Sequence, residues 1–462
     1  MDKTAAVILA AGEGKRMKSS LPKVLHEVLF KPMIDWVVDS ACGAGIPALC
    51  VVVGHGGASV CTHLEKTGHS CAFAEQKEQL GTGHAVMQAE GFLKKTQPED
   101  VLILCGDAPF ITAEIIRDAY ARHKDEGNAV TVLSAVADDP TGYGRIVREN
   151  GAVVGIVEHK DATPEQRAIK EVNAGAYWVG AAALHDALAN LKPNNAQGEY
   201  YLTDIVSLIA QAGLRGGSYV IEMRHMAAAN DRRQLLALNT LARSQVLGRL
   251  LDDGVGLVDE SGVLIGPDVV IGCDTVILPG TIIKGKTTVG SGCTIGPNSL
   301  LEDCTVGDNV VINASQARQS SIANGVTVGP FSHLRPNTTL CENAHVGDFV
   351  EIKNSTIGPG SKAGHLTYVG DSDVGGGVNF GCGVITSNYD GVKKCRTVIG
   401  DNAFIGCNTN LIAPVTVGNG AYTAAGSTIT KNVPDGALAV GRSRQENIEG
   451  WADKKFKAKK NK

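Results

Sequence analysis

The chain has 462 residues and a net charge of −5, which argues against the strong positive field of a nucleic-acid or membrane-surface binder. With 43% hydrophobic and 20% charged residues it can build packed cores, and its length predicts roughly two to four domains. No long apolar run or basic-then-apolar start is present, and the twelve cysteines contain no CxxC pair. The expectation is therefore a cytoplasmic protein with reduced thiols, no zinc site and no membrane insertion.

Residues 5–10 (AAVILA) form a continuous apolar run and read as a buried strand. Residues 32–44 read as a helix with Met33, Trp36, Val37 and Ala41 on one face. Residues 48–53 give a second buried strand, 83–93 a helix, 101–105 a strand, 112–124 a helix and 129–135 a strand. This alternation predicts βαβ units around a mostly parallel sheet, whose ligands gather at the carboxyl ends of the strands. Leu235, Leu238, Ala242, Val246 and Leu250 keep helical spacing across 231–252, a linking helix closed by Asp252-Asp253-Gly254.

From about Gly262 the period becomes six. Ile265, Ile271, Ile277, Ile283, Val289, Ile295 and Leu301 are evenly spaced. So are Val328, Leu334, Leu340, Val346 and Ile352, and again Ile399, Ile405, Leu411, Val417, Thr423 and Ile429. Of the 56 glycines, 33 lie after residue 230, which fits many tight turns. Neither a strand nor a helix requires a period of six, whereas a three-faced coil does, so a hexapeptide parallel β-helix is expected. Residues 454–462 hold six lysines and no acid, and predict a solvated, disordered tail.

The first strand runs into LAAGEGKRM, residues 9–17. It is neither a Walker A loop nor a full dinucleotide fingerprint, but its glycines let backbone N–H groups approach an anion. A tight turn with surface bases is the alternative. Lys23 follows in Leu21-Pro22-Lys23 as a point charge suited to phosphate. Gln76 and Gly81-Thr82-Gly83-His84 suit a base or ribose laid against backbone. Asp107 comes directly after the 101–105 strand, well placed to hold Mg²⁺.

In the second half, Arg335 and Lys353 are eighteen residues apart, one full coil, and each follows an inward aliphatic. They should stack on one outer face about 4.8 Å apart, where a phosphate would relieve their repulsion. Two solvated bases are the alternative. His365 and Tyr368 lie just beyond, and 387–397 breaks the period as a loop carrying Asn388 and Tyr389. In solenoids such insertions often build the binding face.

The glycine loop, the Pro-Lys lysine and the aspartate, in that order, resemble sugar-1-phosphate nucleotidylyltransferases. Further segments, at 139–146 (DPTGYGRI), 155–161 (GIVEHKD), Asn173 and 198–204 (GEYYLTD), are similar to the bacterial bifunctional N-acetylglucosamine-1-phosphate uridylyltransferase / glucosamine-1-phosphate acetyltransferase family. The resemblance covers nearly the whole chain. It implies an α/β Rossmann-like nucleotidyltransferase domain (1–230), a linker helix (231–252), a left-handed parallel β-helix of hexapeptide repeats (253–450) and a basic tail (451–462). The usual crossover rule alone would favour right-handed coils.

By that resemblance Leu9, Ala10, Ala11, Gly12, Lys23, Gln76, Gly81 and Thr82 bind the uridine nucleotide. Gly144, Glu158 and Asn173 bind N-acetylglucosamine phosphate, and Asp107 and Asn230 hold Mg²⁺. Arg335, Lys353, Tyr368, Asn379 and Lys394 bind glucosamine 1-phosphate, with His365 as catalytic base. Asn388, Tyr389, Cys407, Ala425 and Arg442 line the acetyl-CoA path. Cys105 and Cys407 stand where the family usually has tyrosine and serine. The implied substrates are UTP, acetyl-CoA and glucosamine 1-phosphate, and the implied assembly is a homotrimer through the β-helix.

Overall fold

Thr4–Ala10 (β1) has six of its seven residues buried, as an apolar run flanked on both faces must. It pairs in parallel with Ala48–Val53 (β2) on one side and Asp100–Cys105 (β4) on the other. Ala72–Glu75 (β3) extends the β2 edge. Beyond β4 come Glu171–Gly180 (β8), antiparallel to its neighbours, then Val130–Val136 (β5) and Gly216–Ile221 (β9). The order is β9-β5-β8-β4-β1-β2-β3, with the hairpin Arg145–Glu149 (β6) and Ala152–Val157 (β7) attached through β8. Apolar clusters cover both faces.

Met33–Gly43 (α1) buries Met33, Ile34, Val37, Val38 and Ala41. Trp36, expected on that face, is half-buried instead, its ring edge-on to Phe110 at 5.8 Å and its Nε1 donating to the Val28 carbonyl. Gly57–Lys66 (α2) connects β2 to β3. The helix expected over 83–93 is in fact two, Thr82–Met87 (α3) and Glu90–Thr96 (α4). At Gln88 and Ala89 the backbone N–H groups bond three residues back rather than four, and the tightened turn ends α3. Ala113–Asp125 (α5), capped by the Thr112 hydroxyl, packs on the sheet. Ala181–Asn190 (α6) and Asp204–Gln211 (α7) complete the layers.

Arg232–Asp252 (α8) follows. The chain divides into two compact units, Met1–Ser244 and Gln245–Lys462, so the division falls inside this helix. The structure, a computed structural model, describes residues 1–460, and the last two residues of the expected tail lie outside the described residues.

The second unit is a parallel β-helix. Short strands form three sheets, each strand paired with the one a coil later, as in Ile265↔Ile283 and Leu334↔Ile352. The aliphatics of all three six-residue runs point inward and are buried. Between those runs the inward column continues through Val306, Ile312, Ala317 and Ile322, with steps of five as well as six, which is why no period shows there. Tight corners take left-handed backbone, mostly at Gly or Asn such as Gly280, Asn298 and Asn408. At one corner the chain instead places Phe331 and Phe349, whose exposed rings stack at 5.4 Å.

The tail expected to be disordered is helical over Trp451–Lys460. Ala and Lys are strong helix formers, and Lys455 lies over the Trp451 ring one turn back. Among the described residues no helix is long and apolar enough to cross a membrane. None of the twelve cysteines forms a disulfide.

Candidate functional site

In the first unit β1 and β4 end together, tied by the Gly106 N–H donating to the Leu9 carbonyl at 2.9 Å. The loops leaving both strands therefore open into one cavity of about 310 Å³. It is lined by Leu9, Ala10, Ala11, Gly12, Lys23, Gln76, Gly81, Thr82 and Asp107, joining residues a hundred positions apart. Two glycines make the cavity possible. A Cβ on Gly14 would lie 2.8 Å from the Lys23 Cβ, and one on Gly81 would lie 2.6 Å from the Tyr200 carbonyl. Both have positive φ.

At its floor the Lys23 ammonium pairs with the Asp107 carboxylate and donates to Asn230 Oδ1 at 3.1 Å. The lysine and aspartate are mostly shielded from solvent. Two hard oxygen donors thus converge on one cation, a donor set suited to Mg²⁺ provided phosphate or water supplies the remaining ligands. Among the described residues no cluster of three or more His, Cys, Asp or Glu side chains could hold a metal.

Gln76 Nε2 donates to the Gly81 carbonyl at 3.0 Å, and the Thr82 hydroxyl accepts from Leu202 N at 3.1 Å, fixing the loop that precedes α3. Cys105 lies at the cavity wall, its Sγ 3.4 Å from the Gly175 carbonyl, and burial pushes its thiol up to about 12. Gln79, which donates to the Ala11 carbonyl at 2.9 Å, and Glu199 also line the cavity and were not anticipated. Gln79 stands in no pattern that would single it out, while Glu199 lies in the 198–204 segment that carries the resemblance but was given no role.

An adjoining pocket of about 320 Å³ is lined by Thr82, Gly142, Glu158, His159, Lys160, Gln197, Glu199, Tyr201 and Thr203. Gly144 and Glu158 are neighbours, since a Cβ on Gly144 would lie 3.2 Å from Glu158 Oε1. Asn173 N donates to the Gly144 carbonyl at 2.9 Å, so all three expected sugar-phosphate residues come together. Burial raises the Glu158 carboxyl above its usual range; the Thr203 hydroxyl offsets part of this, and Asp161 and Asp204 add to it. Lys160 Nζ bonds Gln197 Oε1 at 2.6 Å across the rim.

In the second unit Arg335 N donates to the Ile352 carbonyl at 2.8 Å, and Lys353 pairs with Gly370 one coil on. The Lys394 ammonium, then the Arg335 charge, lower the Lys353 pKa, and Asp371 acts the other way. Three cations held together are a site for a dianion. Glu351 meets Arg335 at 2.7 Å and shares a register position with Tyr368. Asn388 bonds Asp371, and Tyr389 and Lys394 bridge across the inserted loop, with the Tyr389 hydroxyl donating to the Gly391 carbonyl.

His365 is on a different sheet, at the end of Lys362–His365, and the corner Leu366–Thr367 leads from it to Tyr368. Its ring is two-thirds exposed, with Nδ1 3.9 Å from Asp348 Oδ2, its register partner. Asn379 aligns with Lys362 on that sheet one coil later. Further along, Cys407 and Ala425 follow successive coils, and Arg442 lies beyond Gly426, 3.9 Å from where its Cβ would be. Asp348, Glu351 and Asp371 were not anticipated, because single acids on a coil surface carry no period.

Residues 5–223 match the nucleotidyl transferase family, and 268–303 and 396–431 match the bacterial transferase hexapeptide (six repeats). The architecture is accordingly a Rossmann-like nucleotidyltransferase unit followed by a left-handed parallel β-helix. The chain is similar to the "Bifunctional protein GlmU" of Caldanaerobacter subterraneus subsp. tengcongensis, at 51% identity over 99% of each chain. It is also 50% identical, over 99% of each chain, to the protein of that name from Thermoanaerobacter pseudethanolicus. The one from Geobacillus sp. is 49% identical over 98% of each.

Proposed function

The chain belongs to the family of bifunctional GlmU proteins, and from that membership we propose that it catalyses two transfers, one in each unit. The β-helix unit N-acetylates glucosamine 1-phosphate with acetyl-CoA. The nucleotidyltransferase unit then moves uridylyl from UTP to N-acetylglucosamine 1-phosphate and releases pyrophosphate. The product is UDP-N-acetylglucosamine, a precursor of peptidoglycan and lipopolysaccharide. The observation that carries this reading is the meeting of Lys23, Asp107 and Asn230 at the mouth of β1 and β4. The cation trio of Arg335, Lys353 and Lys394 in the other unit supports the second site.

For uridylyl transfer the sugar-phosphate oxygen is already an anion, so catalysis rests on alignment and charge neutralisation. Leu9–Gly12, Gln76, Gly81 and Thr82 hold the nucleotide, while Gly144, Glu158 and Asn173 hold the sugar phosphate. Lys23 releases Asp107 and turns its charge to the phosphates. Asp107 and Asn230 would hold Mg²⁺, which when bound shields the phosphates from one another.

For acetylation the substrate's ammonium must lose a proton before it can attack. His365 accepts that proton, and the amine adds to the thioester carbonyl. Collapse of the tetrahedral adduct breaks the C–S bond and expels CoA. Asp348 lies beside the imidazolium that forms. Arg335, Lys353 and Lys394 take the phosphate, Tyr368 and Asn379 the sugar, and Asn388, Tyr389, Cys407, Ala425 and Arg442 the acetyl-CoA. The exposed ring stack of Phe331 and Phe349 fits burial in a homotrimer, and the setting is cytoplasmic.

The test is to incubate the protein with glucosamine 1-phosphate, acetyl-CoA, UTP and Mg²⁺, and to assay CoA and pyrophosphate independently. Both should form. In Asp107→Ala pyrophosphate should cease and CoA release should stay near that of the parent. CoA-silent parent protein would reduce the β-helix to a structural role.

A further inference from the structure

Arg145, the first residue of β6, is 1% exposed, and no carboxylate lies within ion-pair distance of it among the described residues. Its guanidinium instead joins three loop segments. It bonds the carbonyls of Tyr143 and Arg167, and its Nη2 lies 3.2 Å from His159 Nδ1. A guanidinium has five donors and no acceptor. Nδ1 of His159 must therefore accept, which leaves the ring proton on Nε2. That Nε2 has no hydrogen-bond partner among the described residues, and the ring lines the 320 Å³ pocket beside Glu158, Tyr201 and Thr203.

We infer that His159 presents its Nε2–H to an uncharged oxygen of the bound sugar, and that Arg145 is the positioning residue that fixes this tautomer. The acceptor is a ring hydroxyl or the acetamido carbonyl. A phosphate fits poorly, because Glu158 and Glu199 line the same pocket. Lys160, the remaining cation there, is already engaged by Gln197 at the rim. Glu158 accepts where His159 donates, so the pair reads the donor and acceptor sides of a polyol together. The inference rests on this pocket holding the sugar ring of the sugar phosphate, with the phosphate directed away from it.

His159→Phe keeps the ring and removes the donor. It should raise KM for N-acetylglucosamine 1-phosphate about three- to tenfold, the worth of one hydrogen bond, with KM for UTP unchanged. Glucose 1-phosphate, assayed in parallel, identifies the acceptor. An equal loss for both sugars means a hydroxyl, and a loss confined to the acetylated sugar means the acetamido carbonyl. Arg145→Met should raise the sugar KM in the parent and add nothing in the His159→Phe background, because the two act through one bond. Additive effects overturn the positioning role. An unchanged sugar KM in folded His159→Phe overturns the inference even if Arg145→Met does not fold. If Glu158→Gln also leaves that KM unchanged, the sugar assignment of the pocket falls with it.

Discussion

Lys23 occupies the place where a divalent cation would need to bind, between the Asp107 carboxylate and the Asn230 carbonyl oxygen. Two cations cannot share those oxygens without repulsion on the order of 1–4 kcal/mol at short range. Lys23→Met should therefore bind Mn²⁺ about tenfold or more tightly in the absence of nucleotide, read by the loss of free Mn²⁺ signal in electron paramagnetic resonance. Unchanged binding would mean that the lysine does not guard the metal donors. UTP should shrink the difference, since its phosphates draw Lys23 away in the parent. For His365, replacement by alanine should lower acetyl transfer by roughly 10²–10⁴-fold at an unchanged melting temperature. The residual rate should climb with pH as free amine accumulates, and uridylyl transfer should hold. That Lys23 and Asp107 share a cavity was legible because each follows a strand whose carboxyl end faces it, whereas His365 was singled out by its neighbours and by the family resemblance. His159 was not, because its role comes from a buried arginine fourteen residues away.

Strand β4 and helix α5 are joined at Asp100. Its carboxylate meets His123 Nε2 at 3.2 Å, Lys124 Nζ at 2.9 Å and the Tyr120 hydroxyl at 3.1 Å. Burial pushes this carboxyl up, but the bonds and charges of His123 and Lys124 outweigh burial and bring it down to about 2. The folded value lies below the unfolded one of about 3.9, so the stability it supplies is complete above about pH 4 and fades as pH falls toward 2. About 2 kcal/mol is at stake. Asp100→Asn should cost that much near pH 7 and flatten the acid limb of a urea-midpoint titration; an unaltered limb would assign the acid sensitivity elsewhere. Elements of this kind were read from apolar runs alone, and β1, β2 and β4 stand where those runs lie. The break between α3 and α4 was hidden because it depends on how two backbone N–H groups bond, while the apolar spacing continues through it. The stretch between Leu301 and Val328 was hidden because five-residue steps destroy the period that betrays a coil.

The chain forms two compact units, and both pockets described above draw their residues from the first. Calorimetry should accordingly show two transitions. UTP at a hundred times its Kd should stabilise one of them by about 2.7 kcal/mol and leave the other in place. A joint shift would mean that the units unfold together. The β-helix adds a property of its own. Every internal coil is bonded to the coil before and the coil after, as in Ile265↔Ile283 and Ile283↔Leu301, and each added turn repeats the same joint. Such joints set no preferred length, so whole turns could be gained or lost near the N-terminal end, where no proposed site residue lies. From Arg335 onward that freedom stops. One extra turn inserted between Arg335 and Lys353 would double the rise between the two cations while leaving every joint intact, giving a protein that folds well and is expected to lose the phosphate contact proposed for that pair. From Arg335 onward the stack is thus a measuring rod, its gradations set by the width of the phosphate proposed there, and the coils before it are spare length.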